Sequence, residues 1–144
     1  MRHSKLWAVM GWSTEFFKEN RYKELGFSSM EDFIINFMYG YFSAMDPDNL
    51  LCMAWKWQRG DVSRHTGGDL RAAFGRIKAK TFVMPMSSDM FFPPADCQAD
   101  WRLIRDAEFR PIQTIDGHLA LFGADANVIS QLDKHLGELL ATKI

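Results

Sequence analysis

An apolar run ends in a turn that carries an acidic residue in the stretch Thr81-Phe82-Val83-Met84-Pro85-Met86-Ser87-Ser88-Asp89-Met90-Phe91-Phe92-Pro93-Pro94. A continuously apolar run is typical of a strand that is covered on both faces of a parallel sheet. Residues 81–86 are therefore predicted to form a strand, with Asp89 in the turn that follows it. Reactive groups in α/β proteins lie in the loops at the ends of such strands.

A second stretch repeats this arrangement, but with a histidine. The predicted strand from Glu108 to Ile115 is followed directly by Asp116-Gly117-His118. Pro111 cannot donate to a ladder, so this strand is expected at a sheet edge or with its pairing interrupted. An Asp and then a His, each after a strand, match the last two members of the chain order Ser…Asp…His.

Asp89 and His118 are the candidate catalytic pair. A carboxylate beside an imidazole fixes its tautomer and stabilises the imidazolium that forms when the ring takes a proton. A near-neutral pKa suits histidine to that task. The alternative is that Asp89 only caps the next helix and that His118 is an ordinary loop residue.

A nucleophile is not evident in the sequence. No Gly-x-Ser-x-Gly is present, and the nearest match, Gly11-Trp12-Ser13-Thr14-Glu15, lacks the second glycine and follows no strand. Ser13 is interpreted as the serine that starts a helix. Cys97 lies inside an amphipathic helix pattern and is not expected to act as a nucleophile.

Composition excludes several classes of function. The 144 residues are 47% hydrophobic and 24% charged, with a formal net charge of −1, so neither nucleic acid nor an anionic membrane is expected as a partner. No apolar run is long enough to span a bilayer, and residues 6–10 are too short for a signal peptide. Cys52 and Cys97 show no zinc or redox spacing and are predicted to be buried free thiols, which favours a cytoplasmic location. The remaining histidines share no metal-ligand spacing: His3, His65 and His135.

The pattern of elements changes near residue 67. Residues 1–66 predict helices and loops, with helix starts at Ser28-Ser29-Met30-Glu31, a capping-box pattern, and at Asp46-Pro47. Residues 67–144 predict a helix near 69–77, the first strand, a helix after Pro94, the second strand, and a helix over 127–140. This order is typical of a parallel sheet wrapped by helices, and two strands make such a small sheet that more of it is expected elsewhere. An aromatic stripe in the first part is interpreted as core: Phe33, Phe37, Tyr41, Trp55 and Trp57.

Several of these stretches resemble one family. They are Asp46 to Leu51, Gly68 to Ala79, Ser87 to Pro94 and the pair Gly117-His118, and they are similar to the C-terminal half of homoserine O-acetyltransferases. The resemblance implies an α/β-hydrolase fold, with residues 1–66 as a helical lid and 67–144 as the C-terminal part of the core, carrying its last two strands. It also implies that Asp89 and His118 belong to a triad whose serine and oxyanion hole lie in an N-terminal half.

The residue after the histidine departs from the family pattern. Homoserine acetyltransferases have an acidic residue there to meet the substrate amine, whereas this sequence has Leu119. The expected activity is serine-dependent acyl transfer to a less polar acceptor or to water, without a bound cofactor and with acyl-CoA as the co-substrate of a transferase. The alternatives are part of an esterase or amidase with the same triad, and a non-catalytic remnant. The expected partners are a small-molecule ester or acyl acceptor and an N-terminal half that carries the nucleophile, or a second copy through self-association.

Overall fold

The computed structural model describes residues 2–123 and 125–142. Helices and short turns form the first part of the chain, as the sequence predicts. The α-helices are α1 (Arg2–Gly11), α2 (Thr14–Lys18), α3 (Met30–Asp32), α4 (Gly40–Ser43) and α5 (Pro47–Trp57). A π-helical segment, Phe33–Tyr39, joins α3 to α4, and single 3₁₀ turns lie at Arg21–Lys23 and Arg64–Thr66.

Side-chain caps explain where two of these helices begin. Asp46 accepts hydrogen bonds from the Asp48 and Asn49 amides at 2.8 and 3.2 Å, and Pro47 occupies the first helical position, as predicted. At α3 the cap is Ser29, which accepts from the Asp32 amide at 3.0 Å. The predicted start at Ser28 with Glu31 is therefore wrong by one residue. Both serines precede an acidic residue by three positions, so the spacing alone did not distinguish them.

The second part of the chain alternates helices with two strands. Its elements are α6 (Leu70–Phe74), β1 (Thr81–Val83), α7 (Pro94–Trp101), β2 (Ala107–Phe109), a 3₁₀ segment (Gly117–Phe122) and α8 (Ala126–Leu140). The helix expected over 69–77 is shorter than predicted, because the Arg71 and Ala73 carbonyls accept from the Gly75 amide and the turn closes there.

The two strands pair in parallel, with Thr81 opposite Ala107 and Val83 opposite Phe109. Both are shorter than predicted, and pairing resumes only at one bridge between Met86 and Ile112. The interruption falls at Pro85, which has no N–H to donate to β2, whereas the Pro111 nitrogen faces away from β1 because the amides of its neighbours Arg110 and Ile112 are the ones that donate to β1. Backbone bonds nevertheless continue past both prolines, from Ile112 N to the Pro85 carbonyl at 2.9 Å and from Ser87 N to the Ile112 carbonyl at 2.8 Å. The strand ends and the loops beyond them are thus held side by side.

Two apolar clusters hold the described residues together. The larger one joins the N-terminal helices to the 3₁₀ segment, and its buried members are Ala8, Trp12, Phe16, Tyr22, Phe33, Met38 and Leu119. The smaller one packs α8 against the loops after the strands, through Met86, Ile112, Ala120 and Val128. Leu119 contributes to the larger cluster and its neighbour Ala120 to the smaller one, so the 3₁₀ segment lies between the two cores.

Helix α5 extends away from these two apolar clusters. Trp55 and Trp57 are 57% and 58% exposed, so the prediction that they are core residues is wrong. In the same predicted stripe Tyr41 is also exposed, whereas Phe33 is fully buried. The apolar character of α5 follows the helical period, but its apolar residues find little to pack against within the described residues. In 2–123 and 125–142 no helix has the length and apolar character needed to cross a bilayer.

Candidate active site

Asp89 lies in the turn beyond β1 and is almost completely buried. Its Oδ1 atom accepts hydrogen bonds from the backbone amides of Phe91 and Phe92, at 2.7 and 3.0 Å. Its own amide donates to the Met86 carbonyl at 3.1 Å. These bonds fix the turn and direct the second carboxylate oxygen, Oδ2, away from it.

His118 lies in the 3₁₀ segment after β2. The residue before it, Gly117, allows the backbone there to approach the N-terminal helices closely. Gly117 has φ +66°, a left-handed conformation that strains residues with a Cβ atom. A Cβ atom at this position would lie 2.7 Å from the Gly11 carbonyl oxygen and 2.9 Å from the Ser13 nitrogen. The backbone before His118 therefore packs directly on the backbone that joins α1 to α2.

Asp89 and His118 are in direct contact, as the triad interpretation requires. The Asp89 Oδ2 atom lies 2.9 Å from His118 Nδ1, although the residues are 29 positions apart. A carboxylate can only accept, so Nδ1 carries the proton and Nε2 presents its lone pair. The side chain of Asp89 is 4% exposed and that of His118 is 16% exposed, which protects the contact from water while leaving the ring accessible.

Two serines tie the acidic turn to the histidine loop. Ser87 Oγ donates to the Thr114 carbonyl at 2.9 Å and accepts from the Thr114 amide at 3.0 Å. Ser88 Oγ donates to the same carbonyl at 2.8 Å and accepts from the Gly117 amide at 3.0 Å. The Ser-Ser-Asp sequence thus sets the spacing between the acid and the base.

Ser13 is a structural residue, in agreement with its interpretation as a helix-start serine. It is buried, accepts from the Phe16 amide at 3.1 Å as the cap of α2, and donates to the Ile115 carbonyl. Across residues 2–123 and 125–142, the one hydrogen bond of the His118 ring is that to Asp89. The structure therefore brings the acid and the base together and places no serine hydroxyl or cysteine thiol in a hydrogen bond with Nε2.

The cysteines are free and differ in environment. Cys97 is half-buried in α7, and burial raises the pKa of its thiol, which disfavours the thiolate that a nucleophile needs. Cys52 is exposed on α5, so the prediction that both thiols are buried is wrong for this residue. The sequence pattern predicts that α5 packs against the core on the side of Cys52, but in the structure it does not.

Aromatic side chains surround the His118 ring. The ring centroid of Phe91 lies 5.0 Å away, that of Phe92 5.5 Å and that of Trp7 6.3 Å. Trp7 and His118 also line an open cavity of about 530 Å³. Its other lining residues are all apolar or aromatic: Phe37, Met38, Tyr41, Phe42, Met45, Leu50, Met53, Leu119, Leu121 and Phe122.

Asp116 is a feature of the site that the sequence analysis did not single out. It directly precedes Gly117-His118 and is 3% exposed, with Arg21 Nε 3.6 Å from its Oδ1 atom. Burial raises the pKa of its carboxyl, and Arg21 offsets this only in part. Arg21 also pairs with Asp125, the cap of α8, at 3.1 Å. The position of Asp116 beside the histidine was the only signal in the sequence, because Arg21 is far away along the chain.

The chain is similar to part of two curated proteins that are named as a hydrolase and a probable esterase. The chain is 62% identical over 141 residues to an ethyl acetate hydrolase of Pseudomonas veronii, covering 98% of the chain and 40% of that protein. It is 57% identical over 138 residues to a probable esterase of Corynebacterium glutamicum, again covering 40% of the relative and 96% of the chain. No family model matches the sequence. The chain thus spans about two fifths of the length of these curated relatives.

Two solved structures are similar in fold to this chain. A structure of the acetyl esterase MekB superposes with a TM-score of 0.94 at 62% identity, over 98% of this chain and 41% of that one. An acetylester hydrolase from Corynebacterium glutamicum gives a TM-score of 0.95 at 56% identity, over 98% and 40% of the two chains. These similar proteins are hydrolases, and the comparisons do not show the homoserine O-acetyltransferase family that the sequence motifs resemble.

Proposed function

We propose that this chain provides the acid and the base of a serine-dependent ester hydrolase, with Asp89 orienting His118. The observation that carries the proposal is the buried 2.9 Å contact between Asp89 Oδ2 and His118 Nδ1, beside an apolar cavity that His118 lines. The names of the similar proteins support an ester as the substrate class. Of the alternatives drawn from the sequence, the esterase is therefore the one we favour.

The fold proposed for the complete enzyme is the α/β-hydrolase fold. Residues 67–144 would form its last two strands with their helices, and residues 1–66 would form the lid. Two observations support this assignment: the parallel pair of β1 and β2, and the position of Leu50 and Met53 of α5 in the wall of the cavity. The serine and the oxyanion donors would correspond to the part of the relatives that this chain does not match.

In the proposed reaction His118 first accepts a proton and then donates it. Nε2 takes the proton of the serine hydroxyl as its oxygen attacks the ester carbonyl, and Asp89 stabilises the resulting imidazolium. The tetrahedral intermediate then breaks its bond to the alkoxide oxygen, which receives that proton from Nε2 and leaves as the alcohol. Water attacks the acyl-serine in the same way and releases the carboxylic acid. This sequence uses no cofactor.

The residue after the histidine supports hydrolysis over transfer to an amino alcohol. Leu119 is 7% exposed and packs in the larger cluster, where it lies against Gly11. An acyl acceptor with an ammonium group would lose its water without gaining an anionic partner there. Water is therefore the proposed acceptor, and acyl-CoA is not needed as a donor.

A chimera tests the function. The Pseudomonas veronii hydrolase would carry this chain in place of the segment that matches it, and the rate of ethyl acetate hydrolysis would be measured. We expect an active chimera that loses activity by about 10³-fold or more with His118→Ala, since one triad member removed leaves only residual catalysis. His65→Ala, which changes an exposed histidine in a 3₁₀ turn, serves as the matched control and should keep full activity. Comparable activity of the two variants would overturn the proposal.

A further inference from the structure

The cavity beside His118 is much larger than the substrate named for a relative requires. Its volume is about 530 Å³, within the ~300–1,000 Å³ of pockets that enclose drug-sized ligands. An ethyl group has roughly the bulk of two water molecules, ~60 Å³. The open cavity therefore leaves room beside His118 for a group several times the volume of ethyl.

The chemistry of the wall restricts what can fill that space. Among the lining residues His118 alone ionises near neutral pH, and Met38, Met45, Leu50 and Met53 supply much of the apolar wall. A charged group would be desolvated there without a partner, whereas an alkyl chain gains from burial. Methionine side chains also adapt to ligands of different shape.

The role of His118 decides which end of an ester lies in the cavity. Since Nδ1 is engaged by Asp89, Nε2 must protonate the leaving alkoxide, and the alcohol oxygen must lie within about 2.6–3.2 Å of it. The chain attached to that oxygen then extends along the surface that His118 shares with the cavity. The acyl group points the other way, toward the proposed serine.

We propose that this cavity is the site for the alcohol chain of the ester and that it takes uncharged alkyl groups longer than butyl. The assignment to the alcohol rests on the proposed function, whereas the ability to bind an alkyl chain does not. The enzyme would accordingly accept long chains on the alcohol side of the ester.

Methionine methyl groups allow a test on the chain as it is. The protein would be labelled with ¹³C at the methionine methyls and titrated with ethanol, 1-butanol, 1-hexanol and 1-octanol. We expect saturable shifts at Met38, Met45 and Met53, with binding that tightens about fourfold for each added methylene. Met86, which belongs to the smaller cluster, and Met84, which packs against it, should not shift and also report that the fold is intact.

Two variants of α5 sharpen the test. Leu50→Asp places a carboxylate in the cavity wall and should weaken 1-octanol binding by more than tenfold. Leu51→Asp changes the next residue, which is 68% exposed and outside the wall, and should leave binding within twofold. Equal effects of the two variants would overturn the proposal.

Other outcomes would also count against it. If ethanol and 1-octanol bound with equal affinity, the cavity would not discriminate between alcohols of different chain length. A Met53 shift that follows protein concentration and not alcohol would show that a second copy fills the cavity. Saturable octanol binding together with a fully active His118→Ala chimera would overturn the proposed function while leaving the alkyl site, so the two failures are distinguishable.

Discussion

Replacing Gly117 with alanine should be among the most damaging single-methyl additions to this chain. The residue has φ +66°, and a left-handed conformation costs an alanine about 1–2 kcal/mol. The new Cβ would meet three backbone atoms, Gly11 O at 2.7 Å, Ser13 N at 2.9 Å and Trp12 C at 3.0 Å. Backbone cannot rotate aside, so overpacking adds about 1–3 kcal/mol. The expected loss is about 2–5 kcal/mol, against a total stability of about 5–15 kcal/mol for an ordinary domain.

Gly67 supplies the matched control for this variant. It also has φ +66°, but no atom of the described residues lies within 4 Å of the Cβ it would gain. Gly67→Ala should therefore lower the free energy of unfolding only by the cost of the left-handed conformation, about 1–2 kcal/mol. Urea unfolding followed by circular dichroism would give both values. Losses that agree within about 0.5 kcal/mol would contradict this expectation, because they would show that the loop before His118 is not packed on the backbone between α1 and α2.

Three further predictions concern the rest of the chain. Because burial raises the pKa of the Asp116 carboxyl, its contribution to stability is fully present below the unfolded value of about 3.9 and is lost as pH rises through the folded pKa. Asp116→Asn should match the wild type in acid and become increasingly more stable than it as pH rises, and urea unfolding at stepped pH that gave the opposite trend would contradict this. Iodoacetamide should modify the exposed Cys52 faster than Cys97, as peptide mass spectrometry would show, and equal rates would mean that Cys97 is not shielded. The chain by itself should self-associate through Leu51, Trp55 and Trp57, which are exposed on α5 and lie outside the cavity wall, and through the unpaired edges of the two described strands, so a compact monomer at micromolar concentration in sedimentation velocity would contradict this.

The contact between Asp89 and His118 could be predicted from the sequence because its signals are local. Asp89 and His118 each follow an apolar run, and the chirality and parallel order of such strands bring their ends to one edge of a sheet. The cap at Asp46 and the helix start at Ser13 are local as well, since each depends on a side chain and an amide a few residues away.

The features that could not be predicted depend on contacts between distant segments. The pairing of β1 with β2 ends early because Pro85 has no N–H to donate to β2, and the sequence does not show the register that places Pro85 within the paired region. The ion pair of Arg21 with Asp116 and the cavity between α1, α5 and the 3₁₀ segment arise only when the N-terminal helices pack on the histidine loop. The sequence pattern did not separate Trp55 and Trp57, which are exposed, from Phe33, which is buried, since an apolar helical period does not say what a helix packs against.

In the proposed enzyme Asp89 acts on the reaction through His118, and removing the charge of this carboxylate is the decisive test. The hydrolysis rate of the chimera would be compared between Asp89→Asn and Asp96→Asn, an exposed aspartate in the first turn of α7. An asparagine at position 89 could donate to Nδ1 and would then favour the wrong tautomer of His118, so we expect kcat to fall by about 10⁴-fold, while Asp96→Asn keeps the parent rate. A chimera with Asp89→Asn that retained activity within about tenfold of its parent would show that the 2.9 Å contact does not serve catalysis.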